Sequence, residues 1–277
     1  MLLGGIGAVS AVIAMVICVC CGGFSGFGWL WMLPVSFLGA ALGLLILAFL
    51  FLWAICACVD LSRPQEHDSK FYRAVANLYL GAVRTILQMR VHTSGLEQTP
   101  KEGRFLLVCN HINDMDPLTL LMYFRDCRLA FITKRENARI FIVGKLMHKL
   151  MCQNLNREND REALKTILNC VRLIQEDAVS IGVFPEGYTS RDGLFHHFRH
   201  GVFKIAQKTK VPIVICTLKN TNRIFKNALH LKPTDVELHL VQVLQPGDYE
   251  GLTAVQIGEK VHKIMADDLG PELVAAE

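Results

Sequence analysis

The sequence predicts an α/β domain, a sheet flanked by helices, preceded by an N-terminal transmembrane helical hairpin. Two observations carry this. The first 59 residues contain no Lys, Arg, Asp, Glu or His, although 52% of the whole chain is hydrophobic. Beyond them, short apolar runs of strand length alternate with segments of helical period, the pattern of a sheet with helices on its faces.

The charge-free segment comes first. A charged group at the centre of a membrane helix costs roughly 2.5–3.5 kcal/mol on insertion scales, so so long a stretch without one reads as membrane-embedded. The run from about Leu2 to Cys21 suffices for one helix of ~20 residues. "GGFSGFG", residues 22 to 28, reads as a turn. A second run, from about Trp29 to Val59, exceeds one bilayer thickness and starts with two tryptophans suited to an interface. Residues 1–60 are therefore expected to be an anchor of two spans, with a re-entrant segment followed by a single span as the alternative. No basic residue precedes the first run, so a cleavable signal peptide is not expected. Arg63, Lys70 and Arg73 follow the second run and the turn carries no basic residue. The positive-inside rule then places the remainder of the chain at the cytoplasmic face, with the plasma membrane the expected location.

Residues 61–95 are expected to form an amphipathic, membrane-proximal helix. Phe71, Val75, Leu78, Tyr79, Val83, Ile86 and Leu87 recur at helical spacing in 68–90, punctuated by Arg73, Arg84 and Arg90. Such a face suits either the bilayer surface or the core of a domain. Residues 96–277 form the expected α/β domain. Strands are predicted at 104–110, 128–133, 179–184, 211–218 and 235–244. Helices are predicted at 116–124, 159–177, 201–209 and 253–268. Asn159 with Glu162 has the form of a capping box.

Composition excludes several functions. The net charge of +4 is mild and no basic–aromatic motif appears, so nucleic acid is not an expected partner. An anionic membrane surface or a phosphorylated substrate is compatible with it. The ten cysteines include no C-x-x-C pair, which leaves no basis for a zinc site. His196 and His200 stand four apart, but without a neighbouring Glu or Cys they read as part of a basic loop.

Two strand-end loops carry the candidate chemistry. In "VCNHINDMDPLTL", residues 108–120, Asp116 precedes Pro117 and suits the start of a helix, where it reads as a cap, with His111 as a loop histidine. Alternatively, the loop folds His111 back onto Asp116. The carboxylate then holds one ring nitrogen and leaves the other as a base. Residues five apart on one helix point about 140° from each other, so this needs His111 on the turn and Asp116 at the helix start. In "VFPEGYTSRDG", residues 183–193, a second strand ends in Glu186, Gly187 and Arg191. Cys109, two residues before His111, allows a rival Cys–His hydrolase reading. Lys134, Arg199 and Lys204 are cations with either a headgroup-binding or a solvated role.

Taken in order, "NHINDMDP", "FPEGYTSRDG", "HFRHGVFKIA" and "VPIVI" resemble the four sequence blocks of the glycerolipid acyltransferase family, on the side of the bacterial 1-acylglycerol-3-phosphate acyltransferases. The similarity spans roughly residues 80–245. It implies that family's sheet and flanking helices, with His111 as general base and Asp116 as its orienting partner. Glu186, Gly187 and Arg157 would help to bind the acyl acceptor, and Arg191 is the nearest cation to the second block. The implied reaction moves a fatty acyl group from acyl-CoA or acyl-carrier protein to the 2-hydroxyl of 1-acylglycerol-3-phosphate, giving phosphatidic acid. No metal and no cofactor beyond the thioester co-substrate is implied. The expected partners are membrane lipids, lysophospholipid, the acyl thioester and, as an alternative donor, acyl-carrier protein. The chain departs from the family pattern at Asn113, where serine is usual, and at Tyr188-Thr189-Ser190, where Thr-Arg-Ser is usual. Those departures bear on the acceptor and keep open another lysolipid or amino-lipid. A catalytically silent membrane protein that binds anionic lipid is the alternative outside enzymes.

Overall fold

The structure is a computed structural model that describes residues 1–156 and 159–275. The contacts divide the chain into two compact units, Met1–Arg63 and Pro64–Glu277.

The first unit is a pair of helices, α1 (Leu2–Cys20) and α2 (Trp29–Ala57), packed on each other. Both are long and apolar enough to cross a membrane, by length and composition. Their connection is tight at Gly23, where a Cβ would stand 2.7 Å from the Cys18 sulfur. Gly22 sits in the left-handed region at φ +67°, which glycine adopts without cost.

In the second unit, fourteen α-helices and strands follow in order among the described residues. They are α3 (Lys70–Ile86), β1 (Met89–Ser94), β2 (Leu106–Cys109), α4 (Asp116–Tyr123), β3 (Leu129–Lys134), α5 (Phe141–Lys149) and β4 (Gln153–Leu155). Then come α6 (Asp160–Gln175), β5 (Ser180–Val183), α7 (Lys204–Thr209), β6 (Ile213–Lys219), α8 (Ile224–Leu229), β7 (Thr234–Leu244) and α9 (Ala254–Leu269). The seven strands form one sheet in the order β1-β7-β6-β2-β5-β3-β4. Every neighbouring pair is parallel except β6 with β7.

The central strands are buried on both faces, as parallel strands between helix layers must be. Leu106, Val108, Ile213 and Ile215 face α6, α7 and α9, while Leu107, Cys109, Val214 and Cys216 face α3, α4 and α8. Alternation along each strand sends successive side chains to opposite layers, so apolar residues are needed at every position.

The five predicted strands correspond to β2, β3, β5, β6 and β7. The edge strands β1 and β4 were not predicted, nor were α5 and α8. Apart from Met89, β1 is exposed or half-buried, and β4 has three residues, so neither shows the apolar run of a central strand. The helix expected to reach Arg90 ends at Ile86, and Met89–Ser94 pairs with β7. The segment 61–95 therefore contains the first strand of the sheet as well as a helix.

Of the two settings expected for the apolar face of α3, the domain's own core takes Leu80, with Val83 and Leu87 against the same cluster, and Val75 and Ala76 are buried as well. Arg73, one of the basic residues that follow the second apolar run, is buried. It pairs with Asp68 through Nε and Nη2 and donates Nη1 to the Leu129 carbonyl, tying α3 to the start of β3. Phe71, Leu78 and Ile86 remain exposed on its other side. Asn159 caps α6 by accepting from the Arg161 and Glu162 amides. Glu162 does not return the bond but accepts from the Asn156 side chain, so the cap is one-sided.

Candidate active site

The C-terminal ends of β2 and β5, adjacent parallel strands, bring the two candidate loops together. This is the edge of an α/β sheet where ligands bind. The β2 loop is anchored at its first residue. The Asn110 side chain donates to the Leu218 carbonyl and accepts from the Leu218 amide, extending the β2–β6 pairing by one artificial step. His111 comes next, on the turn, and α4 begins at Asp116.

The His111 ring folds back onto that helix start. Its Nδ1 lies 2.9 Å from Asp116 Oδ2. The same oxygen accepts the Ile112 and Asn113 amides at 2.7 Å each, and Oδ1 accepts the Thr221 hydroxyl. Asp116 is fully buried. It is the first residue of α4, after Met115 at the cap position, and its carboxylate closes the preceding turn rather than capping the helix as a cap residue would. A buried carboxylate is acceptor-only when ionised, and His111 Nδ1 and the two amides supply donors to one oxygen. With Nδ1 carrying the proton, Nε2 is left as the acceptor.

Stacking completes the placement of the ring. His111 lies 4.3 Å from the Phe184 ring centroid at 24°, and Phe184 stacks in turn on Phe131 at 5.6 Å. Nε2 meets the Thr189 hydroxyl at 3.1 Å. His111, Thr189, Phe184 and Phe131 line a cavity of about 150 Å³ whose cations, among the described residues, are Lys134 and Arg199.

Glu186 plays a different part from the one the resemblance implies. It is 1% exposed. One oxygen accepts the His111 amide at 2.8 Å, and the other accepts the Ser190 hydroxyl at 2.7 Å and the His196 amide at 3.1 Å. Its carboxylate is thus turned into the protein, where it braces three loop positions and is not available to a substrate. Burial pushes its pKa above the ordinary carboxylate value, against smaller opposing effects of those hydrogen bonds. The Ser190 amide also donates to the His111 carbonyl at 2.7 Å, so the two loops are locked to each other.

Gly187 lines the cavity at φ +84°, and a Cβ there would stand 2.9 Å from Arg199 Cδ. Its lack of a side chain lets Arg199 lie against the loop. Arg191 does not join the site. The Gly193 amide donates to the Ser190 carbonyl, and this turn puts Arg191 at its outer corner, exposed and off the cavity lining. Arg157 lies outside the described residues.

The rival nucleophile, Cys109, is fully buried with its side chain on the α3/α4 face. Burial first, then the neighbouring Cys216, Asp116 and Glu186, hold its thiol protonated well above the usual range, the opposite of an activated cysteine. His196 bonds Asp192 through Nε2, and His197 stacks on His262. Among the described residues no three His, Cys, Asp or Glu side chains gather as metal ligands. Two site residues escaped the sequence reading. Thr221 carries no local signal. Thr189 stands at a departure from the family block, and that departure was the available clue.

Comparison with known proteins agrees with this architecture. The family model described as Acyltransferase matches residues 90–219. A 1-acyl-sn-glycerol-3-phosphate acyltransferase of Borreliella burgdorferi is 31% identical over 194 residues, covering 68% of this chain and 74% of the relative. A protein of the same name from Cocos nucifera is 27% identical over 167 residues, covering 60% of this chain and 54% of the relative. The crystal structure of the 1-acyl-sn-glycerophosphate acyltransferase PlsC from Thermotoga maritima shares the fold, with a TM-score of 0.57 at 21% identity over 76% of this chain and 86% of that one. On the family match and the Borreliella relative together, the chain belongs to the acyltransferase family and is an acyltransferase.

Proposed function

We propose that the chain transfers a fatty acyl group from an acyl thioester to the 2-hydroxyl of 1-acylglycerol-3-phosphate, giving phosphatidic acid, with His111 as general base and Asp116 as its orienting partner. The observation that carries this is the His111–Asp116 bond on Nδ1, which leaves Nε2 as a base at the cavity. The acceptor hydroxyl gives its proton to Nε2 as its oxygen attacks the thioester carbonyl, and the carrier leaves as the thiol. Asp116 stabilises the imidazolium formed in that step. General-base help of this kind is typically worth ~10²–10⁴-fold. The thioester is already activated, so the reading calls for no cofactor beyond the acyl carrier, CoA or carrier protein.

Lys134 and Arg199, which line the cavity, supply the positive charge for the acceptor phosphate in place of Arg191. The apolar helices of the first unit would hold the enzyme on the membrane, on the cytoplasmic face by the positive-inside rule. Each acyl CH₂ is worth about 0.8 kcal/mol in the bilayer, so a lysolipid used at the surface avoids a costly extraction. The outward position of Arg191 favours one second reading, a lysolipid with a different headgroup, which acceptor comparison separates.

The test is release of carrier thiol from an acyl thioester by membranes containing the protein, with and without 1-acylglycerol-3-phosphate, beside His111→Ala. Acceptor-accelerated release that His111→Ala abolishes is the expected result. Release that no lysolipid accelerates would overturn the reading in favour of a thioesterase. Absence of release with every thioester and lysolipid tried would favour the lipid-binding alternative.

A further inference from the structure

The hydroxyl at His111 Nε2 is the protein's own. Thr189 Oγ1, His111 and Asp116 form a continuous hydroxyl–imidazole–carboxylate chain with distances of 3.1 and 2.9 Å, the arrangement in which a hydroxyl becomes a nucleophile. We propose that, when no lysolipid occupies the cavity, Thr189 itself takes the acyl group from the thioester, so that the enzyme forms an O-acyl-threonine and slowly hydrolyses its donor.

Three features make this more than a chance contact. Among the described residues Thr189 Oγ1 bonds only His111 Nε2, while the adjacent hydroxyl, Ser190, is turned inward to Glu186. The Thr189 loop is fastened to the His111 turn by the Ser190 amide on the His111 carbonyl and by Glu186, which accepts from the His111 amide and the Ser190 hydroxyl. The pair is therefore held by bonds on both sides of it rather than by two free side chains. Finally, Thr189 and His111 line the same cavity, so a thioester carbonyl that reaches the base also reaches the hydroxyl.

The step balances without another reactant. Thr189 Oγ1 gives its proton to His111 Nε2 and forms a bond to the thioester carbonyl carbon. The C–S bond breaks, and the imidazolium returns the proton to the departing sulfur, leaving an ester and a free carrier thiol. Water then attacks the ester, its proton passing to Nε2 and on to Thr189 Oγ1 as the C–O bond breaks. The products are the fatty acid and the original threonine. A lysolipid whose hydroxyl takes the place of Thr189 at Nε2 diverts the acyl group to itself. This inference rests on His111 as the base.

The test uses the full chain in detergent with a long-chain acyl-CoA and no lysolipid, quenched in acid and read by intact and peptide mass spectrometry. Neutral hydroxylamine first strips any thioester formed on the cysteines. One acyl group should remain on the peptide containing Thr189, in the parent and in Thr189→Ser, and be missing from Thr189→Val and His111→Ala. Acceptor-independent thiol release should fall on the order of a hundred-fold in Thr189→Val. Absence of the acyl-threonine in the parent through the first turnover, while a parallel reaction given 1-acylglycerol-3-phosphate shows acceptor-dependent release, would overturn this inference and leave the proposed function standing. Absence of both in the parent would overturn both.

Discussion

Replacing Asp116 separates its two duties, and the structure sets different sizes for them. In Asp116→Ala the Ile112 and Asn113 amides lose their acceptor, as do the Thr221 hydroxyl and the His111 ring. A buried donor left unpaired costs about 1–3 kcal/mol. Thr221 can rotate its hydroxyl, and Ile112 and Asn113 cannot move their amides. The two amides give about 2–6 kcal/mol, nearer the lower figure because water reaches the half-buried Asn113. For a domain of this size that lowers the melting temperature on the order of 10 °C. Asp116→Asn behaves differently. Its amide oxygen must take the place of Oδ2, where the two backbone donors demand an acceptor, and its NH₂ then faces Thr221, whose hydroxyl accepts as readily as it donates. The fold survives, with a melting temperature within a few degrees of the parent, while the negative charge that the proposed mechanism uses to stabilise the imidazolium is gone. Turnover should fall by up to about 10²–10⁴-fold. Thermal unfolding of the detergent-solubilised chain and acceptor-dependent thiol release measure the two effects. Parental turnover in Asp116→Asn would refute the role of the charge, and a parental melting temperature in Asp116→Ala would refute the bracing of the turn.

Gly187→Ala should cost about 1–2 kcal/mol from the left-handed backbone alone, and its Cβ must push Arg199 away. A raised KM for 1-acylglycerol-3-phosphate with a smaller change in kcat is the expected kinetic signature, and an unchanged KM would remove Arg199 from acceptor binding. Glu186→Gln tests the buried brace through pH. The folded pKa of Glu186 is raised by burial, so its contribution to stability is present below the unfolded pKa and is lost as pH rises through the folded value. Glutamine does not titrate, so the melting temperature of the parent minus that of Glu186→Gln should decline as pH rises from the ordinary carboxylate value of about 4.3 through the raised folded value. A difference that stays constant across that range would show that Glu186 does not titrate in a buried setting.

Much of the fold was legible because its signals are local. Hydropathy without charge marks the two apolar helices whatever surrounds them. The central strands must be apolar at every position because both faces are covered, and that run is visible in "RFLLVCN" and "VPIVICTL". β1 and β4 were invisible because edge strands gain their stability from one neighbour's hydrogen bonds, which leave little trace in residue type. The period of "SKFYRAVANLYLGAVRTI" identifies a helix and an apolar face, but period alone does not say what covers that face.

The site divides along the same line. Order and spacing of the sequence blocks marked His111, Asp116 and the Glu186 loop, since a base needs a partner and both must lie at strand ends. By itself the sequence determined the apolar N-terminal helices, the α/β class, the family and the residues of the candidate dyad. Only the tertiary structure decided which way the side chains face. It turned Glu186 inward as a brace, put Arg191 at the corner of a turn, brought Arg199 to the cavity over Gly187, and set Thr189 against His111. The Glu186 bond to the His111 amide and the Thr189–His111 contact join residues 75 and 78 positions apart, brought together when β2 and β5 align, whereas the Arg191 turn and the approach of Arg199 to Gly187 are set within their own loop. The physical reason is that residue type limits what a side chain can bond to, while packing chooses among the partners that are within reach.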